Sequence, residues 1–415
     1  MRQLNWAGNY EYTARELHEP ESLDDLRRIV ARATSIRVLG SRHAFNDIGD
    51  AAELVSLRKL PGEIEIDADA MTVTAPAAMT YGVLARTLVR EGYGLHAMAS
   101  LPHISIGGAI QTGTHGSGDR AGCLSTAVRA MEMVTSEGDL LRIAEGEDTF
   151  AGAVVGLGAL GAVTRVTLAI EPTYDVRQLV YRGLGWTELA EHFDDIMGAA
   201  ESVSLFTRWG DRVDQVWLKR RVDGGWPDTP EATLHGASLA TEDLHPVEGL
   251  PSAMATPQMG VAGSWAERLP HFLPDATPSA GAEIQSEYIV PREHAVPSIQ
   301  SLQALGERIG PWLHVSEIRT IAADDLWLSM AQGRESVGFH FTWRREPDVV
   351  AGLLPEIEAA LEPFSPRPHW SKAFAMSGHQ VVSAYPCMDA FHRLRDALDY
   401  RGAFRNAYTD RVLHG

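Results

Sequence analysis

The chain has 415 residues, 45% apolar and 22% charged, with 36 basic and 55 acidic side chains for a net charge of −19. That composition excludes a disordered chain, and at roughly 100–200 residues per domain the length predicts two or three domains, each able to bury its own core. An acidic balance without basic clusters repels polyphosphate, so neither nucleic acid nor an anionic membrane is an expected partner.

The longest apolar run, Phe150 to Val163, stops at Thr164 and Arg165, short of the ~18 residues that a membrane span requires. A soluble protein is expected. Met-Arg-Gln-Leu-Asn-Trp-Ala-Gly at the start has no hydrophobic signal region, and none of Asn5, Asn9, Asn46 and Asn406 begins a glycosylation sequon. Cys123 and Cys387 provide neither a disulfide framework nor a four-thiolate metal site, so a cytoplasmic location is expected. Lysine is scarce: Lys59, Lys219 and Lys372 stand against 33 arginines.

In chain order, Ser22 and Asp25 form a capping-box-like start to a helix carrying Leu23, Leu26, Ile29 and Val30 at helical spacing. Ile36-Arg-Val-Leu39 reads as a strand ended by Gly40, and Ser41 to Asp47 as a loop. Strand-like runs follow at Glu63 to Asp67 and Met71 to Ala75, then a helix marked by Tyr81, Leu84 and Leu88 and closed by Glu91-Gly92. A long glycine-rich loop spans Ser100 to Gly122. Val128 to Thr135 and Leu140 to Ile143 predict a hairpin around Glu137-Gly138, and Ala162 to Ile170 another strand. This first part reads as a compact α+β domain. After Glu171-Pro172 the pattern changes to longer strands (Val203 to Arg208, Val213 to Arg221, Glu283 to Val290, Trp312 to Ile321, Val337 to Trp343) and two helices, near Trp186 to Ala200 and Arg292 to Ile309. Gly224 to Pro278 reads as a long surface excursion, and Pro366 to Gly415 as one helix and a polar tail.

Gly156-Leu-Gly-Ala-Leu-Gly161 matches the dinucleotide fingerprint in letters but not in context. The fingerprint needs a strand entering and a helix leaving; here a helix-like segment enters and a strand leaves, which predicts a helix C-cap and tight turn and no nicotinamide cofactor. Ile106-Gly-Gly-Ala-Ile-Gln-Thr-Gly-Thr-His-Gly-Ser-Gly118 is the stronger signal. Its small residues can present consecutive backbone N–H groups to phosphate oxygens without a helix dipole, and Ile104, Ile106 and Ile110 anchor it in apolar surroundings.

Gly40-Ser-Arg-His-Ala-Phe-Asn46, Ser100-Leu-Pro-His-Ile-Ser105 and Thr112-Gly-Thr-His-Gly-Ser-Gly118 together resemble the vanillyl-alcohol-oxidase superfamily of flavoproteins and, within it, the alditol oxidases. The resemblance runs from Asn5-Trp-Ala-Gly8 to the Asn406 region, through Ser316-Glu-Ile-Arg319, His340-Phe-Thr342 and Arg367-Pro-His-Trp-Ser-Lys372. It implies an α+β, two-domain fold. Residues 1–172 and a returning segment, 366–415, would form the FAD-binding domain, and residues 173–365 a substrate-binding cap on an antiparallel sheet. It also implies FAD attached covalently through His43. The cofactor would be lined by Val38, Leu39, Gly40, Ser41, Arg42, Ala44, Ser100, Ser105, Gly108, Thr112, Gly113, Thr114, His115, Val163 and His369. Ser100, Glu317, Arg319, Thr342 and Lys372 would hold substrate, with His340 and Lys372 catalytic. The family often has glycine before the linking histidine and serine after it; Arg42 and Ala44 stand there instead, which bears on the efficiency of attachment.

Strand alternation points Glu317 and Arg319 one way, and likewise His340 and Thr342. A carboxylate and a guanidinium side by side can order several polyol hydroxyls, which both donate and accept. Alcohol oxidation needs a base: His340 titrates near neutrality, and Lys372 does so if burial lowers its pKa. No His-Glu-x-x-His or Gly-x-Ser-x-Gly occurs, and no carboxylate or cysteine falls at metal-ligand spacing from His103 and His115, so neither metal catalysis nor a serine hydrolase is expected. The implied activity is oxidation of a terminal alditol hydroxyl, on xylitol, sorbitol or glycerol, with O2 reduced to hydrogen peroxide by a monomer. The alternatives are an aldonolactone oxidase or dehydrogenase of the same superfamily and a non-catalytic flavin- or sugar-binding protein.

Overall fold

Ser22 caps its helix as its spacing to Asp25 predicts: the hydroxyl accepts the Asp25 N–H, and Leu23–Arg32 follows with Leu26 and Val30 buried. The computed structural model describes residues 3–224, 230–273 and 282–414. This helix packs beside a parallel three-stranded sheet in the order Glu16–His18, Glu53–Val55, Ile36–Val38. Next comes an antiparallel five-stranded sheet ordered Glu65–Asp67, Thr72–Pro76, Ala162–Ala169, Val128–Val134, Leu140–Ala144. The helix Tyr81–Arg90 buries Tyr81, Leu84 and Leu88 in the same core.

The second part is built on a ten-stranded antiparallel sheet. Its centre runs Asp175–Gly185, Arg212–Arg221, Ser202–Thr207, Leu313–Ile321, Ser336–Arg344, Glu283–Pro291. One face is apolar: Leu205, Val216, Ile318, Phe339, Phe341 and Trp343 pack against Ile299 and Leu302 of one helix and Val350, Leu353 and Ile357 of another. Burying each such side chain is worth about 1.5–3 kcal/mol, so this face fixes the sheet and leaves the other free for polar residues.

Several expectations are corrected here. Ser100 to Gly122 is not one loop, because Ile106–Gln111 forms a short helix; Gly107 fits there since a Cβ would meet the Ala77 Cβ at 3.0 Å and its carbonyl oxygen at 3.2 Å. The helix near Trp186 to Ala200 is two, Trp186–Glu191 and Phe193–Met197, divided at His192. Arg292 to Ile309 likewise divides into a 3-10 turn and the helices Ala295–Gln303 and Gly306–Ile309. The excursion does not merely lie on the surface: Thr256, Gln258, Trp265 and His271 are buried, while its residues 225–229 and 274–278 fall outside the described residues. Nor is the end of the chain one helix and a polar tail. It holds the helices Gly378–Ala384, Met388–Leu398 and Ala407–Val412, and buries Phe404, Tyr408, Val412 and Leu413.

That returning segment is tied back by two polar side chains. Arg37, 2% exposed, donates to the carbonyls of Ile48 (2.8 and 3.0 Å), Gly158 (2.5 Å) and Phe404 (3.1 Å). The Asn406 amide donates to the carbonyls of Asp47, Ile48 and Asp50 at 2.8–3.2 Å. Arg37→Met leaves buried carbonyls without their donor, and unsatisfied buried polar groups cost about 1–3 kcal/mol each. The expected loss is about 3 kcal/mol or more; a urea denaturation midpoint equal to wild type would refute this.

Candidate active site

Two clefts meet at His43. The first, about 1050 Å³ with its mouth, is walled by the Val38 to Ala44 turn, by Ser105, Gly107 and Gly108, and by Thr112 and Thr114. Ser41 and Ser105 clasp each other across it: the Ser105 N–H donates to the Ser41 hydroxyl at 3.0 Å and the Ser41 N–H to the Ser105 hydroxyl at 3.3 Å. This approach demands glycine, since a Cβ on Gly40 would fall 2.6 Å, and one on Gly108 2.8 Å, from Ser105 Oγ. Val163 also lines this cleft, as do Leu157, Gly158 and Gly161. The Gly156 to Gly161 segment is the tight turn its context predicts, between the helix Phe150–Val154 and the strand Ala162–Ala169. It nevertheless borders the cleft by its turn rather than by a helix N-terminus.

The second cleft, about 1020 Å³ with its mouth, lies over the polar face of the large sheet and gathers Ser100, His115, Glu317, Arg319, His340, Thr342, His369 and Lys372. Ser100, His115 and His369 thus stand in this cleft and not the first. Gly113 lines neither; its φ of 64° turns the chain after the Ile106–Gln111 helix, and it packs on Met330.

Strand register explains the convergence. Glu287, His340 and Glu317 are direct neighbours across three strands, and Phe206 extends the row. One step along, Arg319 lies opposite Gly338, where a Cβ would press on Glu287 Oε1 at 3.4 Å. The guanidinium reaches past this glycine to Glu287 Oε1 at 2.5 Å and to the His115 carbonyl at 3.4 Å. Lys372 arrives from the returning segment: the Asn46 amide donates to the Trp370 and Lys372 carbonyls, both at 2.8 Å, and the Ala373 N–H to the Gln285 carbonyl at 2.8 Å. Its ammonium donates to Gln285 Oε1, which also lies 3.1 Å from His340 Nε2.

The electrostatics follow from burial and these neighbours. Burial, then His103 and Lys372, pull His43 down to about 3, so its imidazole is neutral. Among the described residues neither of its buried ring nitrogens closes a hydrogen bond, while the ring stacks on Trp6 with centroids 5.0 Å apart. His340 is likewise pulled to about 3, by burial and by Lys372. Lys372 falls to about 8, again chiefly through burial. Burial pushes Glu317 and Glu287 up, but Arg319 together with the histidine beside each, His271 for Glu317 and His115 for Glu287, outweighs it and holds both well below the ordinary carboxylate range.

Other residues of the site carry no motif. Glu287 and Gln285 share the face of the Glu283 strand that alternation assigns them, so period two could have found them. Glu283, on the same face, is pushed up to about 7 by burial and has one carboxylate oxygen unpartnered. His271, from the excursion, donates to Glu317 at 2.8 Å; nothing in its local sequence marks it. The fold also gathers one ligand atom each from His115, Glu287 and His369 within 4.8 Å of one another. A cation there would have to displace the Arg319 guanidinium already paired with Glu287.

The cleft at His43 fits a flavin: at Gly40 and Gly108 a side chain would crowd Ser105 Oγ, and the cleft ends at a buried, neutral imidazole that closes no hydrogen bond among the described residues. The FAD binding domain family matches residues 15–144, and the D-arabinono-1,4-lactone oxidase family matches residues 282–412. An alditol oxidase of Streptomyces sp. is 43% identical, with 99% of each chain covered. An L-gulono-1,4-lactone dehydrogenase of Mycobacterium tuberculosis is 27% identical over 99% of this chain and 98% of its own. Cholesterol oxidase from B. sterolicum shares the fold with a TM-score of 0.80 at 14% identity, covering 100% of this chain and 96% of that one. Gly40→Val pushes the two clasped loops apart and is expected to lower the flavin content of the purified protein severalfold, read from the ratio of visible to ultraviolet absorbance; full occupancy would show that the cleft tolerates the side chain.

Proposed function

Since the chain belongs to the alditol oxidase family of FAD-dependent flavoproteins, we propose that it oxidises the terminal hydroxyl of a polyol such as xylitol, sorbitol or glycerol to the aldose or aldehyde, with O2 reduced to hydrogen peroxide. The observation that carries this reading is the row of Glu317, Arg319, His340 and Thr342 facing the cleft that meets His43. A polyol hydroxyl donates to Glu317 and accepts from Arg319. The 43% likeness to an alditol oxidase, against 27% to a lactone dehydrogenase, supports the same choice.

Flavin held along the first cleft would supply the hydride acceptor and the route for electrons to O2. Val38 to Ala44, Ser105, Gly108, Thr112, Thr114 and Val163 would hold it, with covalent attachment through His43. The neutral, unpartnered imidazole of His43 supports that attachment, because only an unprotonated ring nitrogen has a lone pair to form the bond. Ser100, Glu317, Arg319 and Thr342 orient the polyol. His340 is neutral throughout the working range. Lys372 is the base that titrates within it, and its free amine takes the hydroxyl proton. The domain division at 172/173 and 365/366, a monomeric state and a cytoplasmic location belong to the same proposal; the two cysteines are free.

Peroxide production on sorbitol but not on a sugar lactone is the expected outcome, with yellow chromophore retained in the acid-precipitated wild type and released from His43→Ala. Turnover of the lactone alone would transfer the assignment to the lactone oxidases, and no turnover on a flavin-loaded protein would favour a binding role. The sign for pH follows from the lysine: below about 8 it is protonated and cannot accept, so kcat/KM rises with pH through about 8. Lys372→Met removes this limb, leaving any contribution of Glu283 near 7. A profile that falls through the same range would make Lys372 a cationic binder and His340 the base.

A further inference from the structure

One of the three lysines is 1% exposed and lies outside every motif of the site. Lys219, on the strand Arg212–Arg221, places Nζ 2.7 Å from the carbonyl oxygens of Leu269 and Pro270 and 3.2 Å from His271 Nδ1. Across the ring, His271 Nε2 stands 2.8 Å from Glu317 Oε1. The segment carrying His271 is fixed to the same sheet face. The Gln178 amide donates to the Thr256 carbonyl at 3.2 Å, the Thr256 N–H to the His271 carbonyl and the Thr256 hydroxyl to the Pro270 carbonyl, both at 2.9 Å.

The proton positions follow from the acceptors. Glu317 is ionised and can only accept, so His271 Nε2 carries a hydrogen. A neutral imidazole then has its lone pair at Nδ1, and Lys219 must donate to it. With two carbonyls to serve as well, Lys219 uses three N–H donors, which only the ammonium form has; burial pulls its pKa well below the ordinary lysine range, the charge of Glu317 pulls it back up, and the three acceptors around Nζ hold the proton there. All the hydrogen bonds of the chain Lys219, His271, Glu317 therefore run in one direction, towards the carboxylate in the cleft.

We propose that Lys219 is a positioning residue for polyol binding: by locking His271 in the tautomer protonated at Nε2, it fixes the orientation and charge of Glu317. This rests on the reading of the cleft as a polyol site and adds to it a residue that does not contact the substrate. The charged groups facing His271 are Lys219, Glu317 and Arg319; Lys219 in turn faces Glu317 and Arg268. Burial first, and Lys219 second, hold His271 down to about 4, against the pull of Glu317. Without the ammonium, the carbonyls of Leu269 and Pro270 become acceptors for an Nδ1–H, and the ring can take a proton. His271 then meets Glu317 as a cation, and the carboxylate is less available to a substrate hydroxyl.

The test is Lys219→Met in the full-length, flavin-loaded protein. The expected result is unchanged flavin content and a KM for xylitol raised about tenfold, as for loss of one charge-assisted bond. kcat changes less, and KM acquires a rise at acidic pH that wild type lacks. Adding His271→Gln removes that acid limb, because an amide can donate to Glu317 without titrating. A variant with the KM and pH profile of wild type, or an acid limb that survives in the double variant, would overturn the proposal. If Lys219→Met does not fold, His271→Ala replaces it: a raised KM is expected, and a wild-type KM overturns the proposal. Histidine-ring 15N NMR of the same flavin-loaded chain reads His271 whatever the substrate. It should show the Nε2–H tautomer at neutral pH in wild type and a titrating ring in Lys219→Met. The other tautomer in wild type defeats this inference alone, whereas a wild type that turns over no polyol defeats the functional reading.

Discussion

The register that aligns Glu287, His340 and Glu317 across three strands is the constraint on which the site depends. Two carboxylates flanking an imidazole on a buried face would repel one another and lose hydration unless a fixed cation answered both. Arg319 is that cation, 2.5 Å from Glu287 and 3.7 Å from Glu317. A guanidinium suits the role because it stays charged when buried and spans two acceptors. The same strands present Ile318, Phe339 and Phe341 to the helices behind, so slipping the register by one residue would put the charged row into the core.

The polar face is closed by the other part of the chain. Gly118 N–H donates to the Thr320 carbonyl at 2.9 Å, the Ser117 hydroxyl to the Val203 carbonyl, and the His115 carbonyl accepts from Arg319. The glycine-rich segment therefore serves two purposes. Its first half, clasped to Ser41, shapes one cleft, and its second half roofs the other. Lys372 depends on both parts in the same way, held by Asn46 on one side and by the edge of the Glu283 strand on the other.

What was legible in the sequence is what local periodicity encodes. Alternation placed Glu317 with Arg319 and His340 with Thr342, and the density of small residues marked the loops that pack closest. The helix Pro347–Leu361 has no place among the expected elements, and it carries two prolines, Pro347 and Pro355. Pro347 sits at the start of the helix, where a missing N–H costs nothing. The strand Asp175–Gly185 was hidden by Gly183, which turns at a φ of 76°, and by Gly185. His271 and Lys219 were beyond reach for another reason: their partnership links positions 52 residues apart, through a segment with no regular period. The polar character expected of the last residues failed similarly, since Arg37 donates to the Phe404 carbonyl and Asn406 to the Ile48 carbonyl, tying the segment down with Phe404 and Tyr408 inside.

The joining of both chain ends at one cleft bears on how the protein is made. During synthesis the Val38 to Ala44 turn and the glycine-rich segment emerge early. The Ile48 carbonyl meets Asn406, and Arg37 meets Phe404, only after more than 350 further residues have been made. Contacts of such sequence separation form late and slowly. Until they do, the apolar surface that Phe404, Tyr408 and Leu413 will cover stands open to solvent and to other unfinished chains. The wall beside His43 is thus completed only once residues about 350 positions downstream have folded back onto it, which makes the cleft a late product of folding.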